Sequence, residues 1–199
     1  MIEMGDKMSV ILGVKSKNVV IIAGDKRICN KNGKVLSDES EKVHIINNHL
    51  AYASGGNDAM GKFFLNNVED AENLYVDDLI TIIQKSFRHI IECEANALLQ
   101  LPASFIVGGL NKRHENCLTV GSNKNGVVDF TEVSMFIYQP VDMGINTAQI
   151  ILCKNIKETP ELFVEKTITD IASVSDWVSN SGTKWIFDIR SGLSKYEKF

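Results

Sequence analysis

At 199 residues, 44% of them hydrophobic and 23% charged, the chain has the composition of a globular protein with one large core. A net charge of -4 at pH 7 argues against a nucleic-acid surface, which needs clustered lysine and arginine. No stretch approaches the roughly 20 apolar residues of a membrane span, and the opening MIEMGDKM carries Glu3, Asp6 and Lys7 where a signal peptide would be apolar. Cytoplasmic location is the expectation.

In chain order, Ser9 to Lys15 and Val19 to Gly24 are β-branched apolar runs separated by Ser16-Lys17-Asn18, which predicts two strands covered on both faces. Asn30 to Gly33 (NKNG) predicts a turn. Lys42 to Ile46 and His49 to Ser54 predict a second strand pair joined at Asn47-Asn48. The period then changes. Met60, Phe63, Phe64 and Val68 predict a helix from Asn57, capped by Asn57 or Asp58. Leu79, Ile82, Ile83, Phe87, Ile90 and Ile91 form one stripe and predict a longer helix from Val76 to about Gln100. Ser104 to Leu110, Cys117 to Val120 and Val127 to Val133 read as strands. Thr147 to Lys154 and Pro160 to Val178 read as helices, the second with Thr159 as cap and Pro160 as its first residue. Lys184 to Arg190 is a last strand, and the polar stretch 191–199 reads as a loose tail. Strands in blocks and helices in adjacent pairs predict an α+β fold of two stacked, mostly antiparallel sheets flanked by helices. Residues 9–190 read as one domain, after a leader or misassigned start at 1–8.

Cys29, Cys93, Cys117 and Cys153 lie far apart with no CxxC spacing and read as reduced, buried thiols. His44, His49, His89 and His114 lack metal-ligand spacing, so no metal and no cofactor is expected. The chemistry sits near the start. A hydroxyl (Ser9), an acid (Asp25) and a lysine (Lys42) follow one another at strand ends. That order suggests a hydroxyl nucleophile whose base is its own freed α-amino group, hence an amidase or peptidase. The alternative is three ordinary strand-end residues.

The runs Ser9-Val-Ile-Leu-Gly13-Val-Lys, Val20-Ile-Ile-Ala-Gly-Asp25-Lys-Arg27, Glu41-Lys42-Val-His-Ile-Ile46 and Ala53-Ser-Gly-Gly56 with Asp58-Ala59 together resemble the start of a proteasome β-type subunit. Ala-Gly-Asp at 23 to 25 is similar to the bacterial HslV-type peptidase. The likeness returns at Phe105 to Leu110 and at Ile171 to Asn180. It implies the four-layer αββα sandwich of N-terminal nucleophile hydrolases. It also implies catalytic roles: Ser9 as nucleophile, Lys42 lowering its pKa, Asp25 paired with Lys42, the Gly55 N–H (or that of Gly56) in the oxyanion hole, and Asp176 and Ser179 orienting the nucleophile's amine.

Two departures bear on those roles. Met8 stands before Ser9 where self-processing relatives carry Gly; translation from Met8, with methionine removal, would expose Ser9. After the Val127 to Val133 strand, Ser134-Met-Phe-Ile-Tyr-Gln-Pro140 replaces a Gly/Ser-rich turn, with Ser134 as the candidate substitute for its serine. Peptide-bond hydrolysis is the leading expectation, with a peptide or unfolded protein as substrate. A homo-oligomeric ring and an ATPase unfoldase are the partners the resemblance implies; neither nucleic acid nor membrane is expected. The alternatives are a non-catalytic proteasome-like subunit and a small-molecule amidase.

Overall fold

The first two apolar runs become β1 (Ile11–Lys15) and β2 (Val19–Asp25), antiparallel neighbours in register Ile11↔Gly24 through Lys15↔Val20. The computed structural model describes residues 10–30, 32–93, 101–124, 126–140, 142–144 and 146–199. The NKNG turn closes a short hairpin, β3 (Ile28–Cys29) and β4 (Val35–Ser37). Asn30 Oδ1 accepts from the N–H groups of Asn32 and Lys34, both at 3.0 Å, and Gly33 supplies the positive φ of 79°. Next come β5 (Val43–Asn47) and β6 (Leu50–Gly56), then α1 (Asp58–Lys62) running into a 3₁₀ turn at Phe63–Asn67. Asn57 caps α1, its side chain accepting from the Met60 N–H at 3.1 Å.

Helix α2 spans Val76–Glu92 and carries the whole stripe; the rest of the expected span, 94–100, lies outside the described residues. Strands β7 (Ala103–Leu110), β8 (Asn116–Lys124), β9 (Val127–Glu132) and β10 (Met135–Tyr138) follow. Helices α3 (Thr147–Asn155) and α4 (Pro160–Ala172) and strands β11 (Gly182–Asp188) and β12 (Leu193–Lys198) complete the chain. Thr159 and Pro160 start α4 as expected, although the Thr159 hydroxyl makes no capping bond.

Two five-stranded antiparallel sheets result, ordered β10-β1-β2-β11-β12 and β5-β6-β7-β8-β9. Three buried clusters explain their stability. Ile11, Val20, Ile22, Trp185 and Phe187 of the first sheet share one cluster with Val43, Ala51, Ala53, Ile106 and Leu118 of the second. Leu79, Ile83, Phe87 and Ile90 of α2 pack with Phe64 of the 3₁₀ turn and with Tyr52 and Phe105 of the second sheet. Ala148 and Leu152 of α3 and Phe163, Val164, Ile168 and Ile171 of α4 pack with Leu12, Ile21 and Ala23 on the first. Strand alternation makes this economical, since successive residues of β1 and β2 serve opposite faces. Among the described residues no helix is long and apolar enough to cross a membrane.

Three features differ from expectation. Residues 193–198 pair along β11, with Tyr196 opposite Trp185 and Glu197 bonded to Lys184, rather than forming a loose tail. Their alternation is masked by charge, because Lys195, Glu197 and Lys198 protect an edge strand. Met135–Tyr138, to which the sequence assigns no element, forms edge strand β10. Cys29 and Cys117 are buried, but Cys93 and Cys153 are exposed on helical turns.

Candidate active site

Asp25 ends β2, where the strand leaves the sheet, and its carboxylate is fully buried. Four donors converge on it. The Val10 N–H donates to Oδ1 at 2.9 Å, the Arg27 N–H to Oδ2 at 2.9 Å and the Ser179 N–H to Oδ2 at 3.1 Å. The fourth is Lys42 Nζ, which bonds Oδ1. Burying a carboxylate is tolerable only with such satisfaction.

Lys42, just before β5, is 5% exposed. Its ammonium also donates to the Arg27 carbonyl at 2.7 Å. Burial holds its pKa below the usual lysine range, and the charge and hydrogen bond of Asp25 only partly offset that. The aliphatic stem is confined too: a Cβ on Gly24 would lie 3.1 Å from Lys42 Cβ.

The Val10 backbone is tied to this pair from both sides, since the Asp25 N–H returns a bond to the Val10 carbonyl at 3.2 Å. Ser9, the expected nucleophile, lies outside the described residues. Gly55 and Gly56, at the end of β6, line a small cleft together with Ile28, Ser40, Lys42, Ser54, Asn57 and Asp58. Gly56 adopts φ +90°, and a Cβ there would meet the Pro102 carbonyl oxygen at 2.4 Å. A Cβ at Gly55 would lie 3.0 Å from the Tyr138 ring.

Ser179 is buried and enters through its N–H, while its hydroxyl pairs with Ser181 Oγ at 2.8 Å. Asp176 is exposed; what it contributes to the cluster is its carbonyl, which accepts from Arg27 Nη1 at 2.8 Å. Ser134 lies away from the cluster: its carbonyl accepts from the Lys15 N–H at the far end of β1.

Arg27 ties the cluster together from both its backbone and its side chain. Its backbone N–H and carbonyl hold Asp25 and Lys42. Its guanidinium grips both oxygens of Asp38 at 2.7 and 3.2 Å and reaches the carbonyls of Asp176 and Val178. That fork keeps the Asp38 carboxyl below the usual carboxylate range. The adjacency Asp25-Lys26-Arg27 was the available signal. Nothing in sequence ties it to residues some 150 positions away.

A buried ammonium–carboxylate pair bonded to the Val10 backbone, beside a glycine-lined cleft, can tune a nucleophile placed next to it. The family model described as "Proteasome subunit" matches residues 7–75. That span contains Asp25, Lys42, Gly55 and Gly56, and the match supports proteasome-family membership. No curated protein matches the chain.

Proposed function

We propose that the chain is a proteasome-family N-terminal nucleophile hydrolase, a four-layer αββα sandwich that cleaves peptide bonds. The observation that carries this reading is the buried Lys42–Asp25 pair bonded to the backbone of Val10, the residue after Ser9.

In this reading Ser9, freed as the N-terminus, attacks the substrate carbonyl carbon. Its α-amine, with an ordinary pKa of about 8, takes the hydroxyl proton. Two of the three N–H groups of Lys42 serve Asp25 and the Arg27 carbonyl, and the third serves Ser9. The cation favours the deprotonated forms of both the hydroxyl and the amine. The N–H of Gly55 or Gly56 stabilises the oxyanion. The leaving amine takes the proton back, and water then hydrolyses the ester left on Ser9. Asp176 and Ser179 act as positioning residues, through Arg27 and Asp25 respectively. An HslV-type homo-oligomeric ring in the cytoplasm, fed by an ATPase unfoldase, completes the proposal.

The test is peptidase activity of a form that begins at Ser9. Lys42→Ala and Ser9→Ala should each lower activity about a hundredfold or more; activity that persists in both sinks the reading. A non-catalytic proteasome-like subunit is the second reading. The observation that favours it is the Tyr138 ring packed over Gly55.

A further inference from the structure

Helix α2 ends in the sequence His89-Ile-Ile-Glu92-Cys93, which sets an imidazole and a thiol four residues apart on one face. Both side chains are exposed; that of His89 is 73% accessible. Cys93 Sγ lies 3.4 Å from His89 Nε2 and 3.9 Å from Nδ1. The Cys93 N–H donates to the His89 carbonyl at 2.9 Å, so the backbone between the two groups is fixed. Glu92 Oε2 stands 3.8 Å from His89 Nδ1, beyond hydrogen-bond distance.

We propose that His89 and Cys93 form a two-residue chelate for a borderline divalent cation of the zinc class. The geometry carries the proposal. With Zn–S near 2.3 Å and Zn–N near 2.0–2.1 Å, tetrahedral coordination requires an S···N separation of about 3.6 Å. The pair stands at 3.4 Å with Sγ beside the ring, so rotating these exposed side chains, with no backbone change, turns the Nε2 lone pair to the metal. Thiolate and imidazole together select zinc-class ions over magnesium or calcium, which take oxygen ligands. No group of three or more His, Cys, Asp or Glu side chains among the described residues could hold a metal, so solvent supplies the other ligands and the ion exchanges readily. On binding, the Cys93 thiol gives its proton to the buffer, sulfur and nitrogen donate to the metal, and nothing is oxidised. The site stands on α2, independent of the Lys42 cluster and of the peptidase reading.

The test uses the full chain with Cys153→Ser, which removes the other exposed thiol. Cadmium is titrated by its thiolate charge-transfer absorption and then displaced with zinc. One ion per chain is expected, with affinity rising with pH as the thiol proton is lost. His89→Ala should weaken binding at least tenfold, and Cys93→Ser should abolish the band. Circular dichroism confirms that the variants fold. Absence of the band, or an affinity within twofold of the parent in His89→Ala, overturns the chelate.

Discussion

Lys42 and Asp25 stabilise the protein only as a pair. Each is nearly or fully buried, and removing one strands the other's charge in the interior. Lys42→Ala should therefore cost about 3–5 kcal/mol in urea unfolding. The double variant Asp25→Asn/Lys42→Met should recover part of that loss; a double variant no more stable than Lys42→Ala would show that charge pairing is not the cause. Gly56 and Gly192 offer a matched contrast. Both have positive φ, but a Cβ at Gly56 meets the Pro102 carbonyl oxygen whereas one at Gly192 meets nothing within 4 Å. Gly192→Ala should show strain alone, about 1 kcal/mol. Gly56→Ala should cost distinctly more, and equal losses would refute the contact argument. Asp25, Lys42 and the glycine pair were legible because they bound clean strand runs: Asp25 and the glycines end β2 and β6, and Lys42 precedes β5. The exposure of Asp176 was not legible, because an aspartate in the connection between α4 and β11 carries no pattern saying which way it faces.

The β3–β4 hairpin and the 176–179 segment are held over the cluster by one guanidinium. Arg27 binds Asp38 at the end of the hairpin and the carbonyls of Asp176 and Val178, while a Cβ at Gly33 would collide with the Trp177 indole at 2.5 Å. Arg27→Lys keeps the charge but loses the fork. Hydrogen exchange should accelerate across 28–37 and 176–181 in that variant, and remain unchanged in β7 and β8; unaltered exchange at the hairpin would contradict the tie. The elements missed in the sequence share a physical reason. Strands β3 and β4 are two and three residues long, too short to show a period. Strand β10 is half-buried throughout and does not alternate, and β12 hides its alternation under edge charges. The block order of strands and helix pairs was legible because each helix stripe and strand run buries its apolar face on its own.

Across the whole molecule, burial also sets how stability depends on pH. His44 stacks on Tyr52 at 4.9 Å between centroids, with Lys62 and Asp58 nearby, and its Nε2 has no hydrogen-bond partner among the described residues. Burial lowers its pKa from 6.5 to about 4, with Lys62 adding to the effect. The folded value lies below the unfolded one, so the unfolded chain binds the extra proton first. Stability from this group is complete above pH 6.5 and declines as pH falls toward 4. At pH 5 the loss should be about 2 kcal/mol relative to pH 7. His44→Phe should remove that increment from the measured pH dependence; an unchanged profile would mean that another group carries it.

The central claim joins the start of the chain to the buried pair. Intact mass spectrometry of a Ser9-start form, treated with an inhibitor that captures N-terminal nucleophiles, tests it most directly. One adduct per chain is expected, mapped to Ser9 and absent in Lys42→Ala. A folded Ser9-start protein that takes no adduct, or that labels equally well without Lys42, would contradict it.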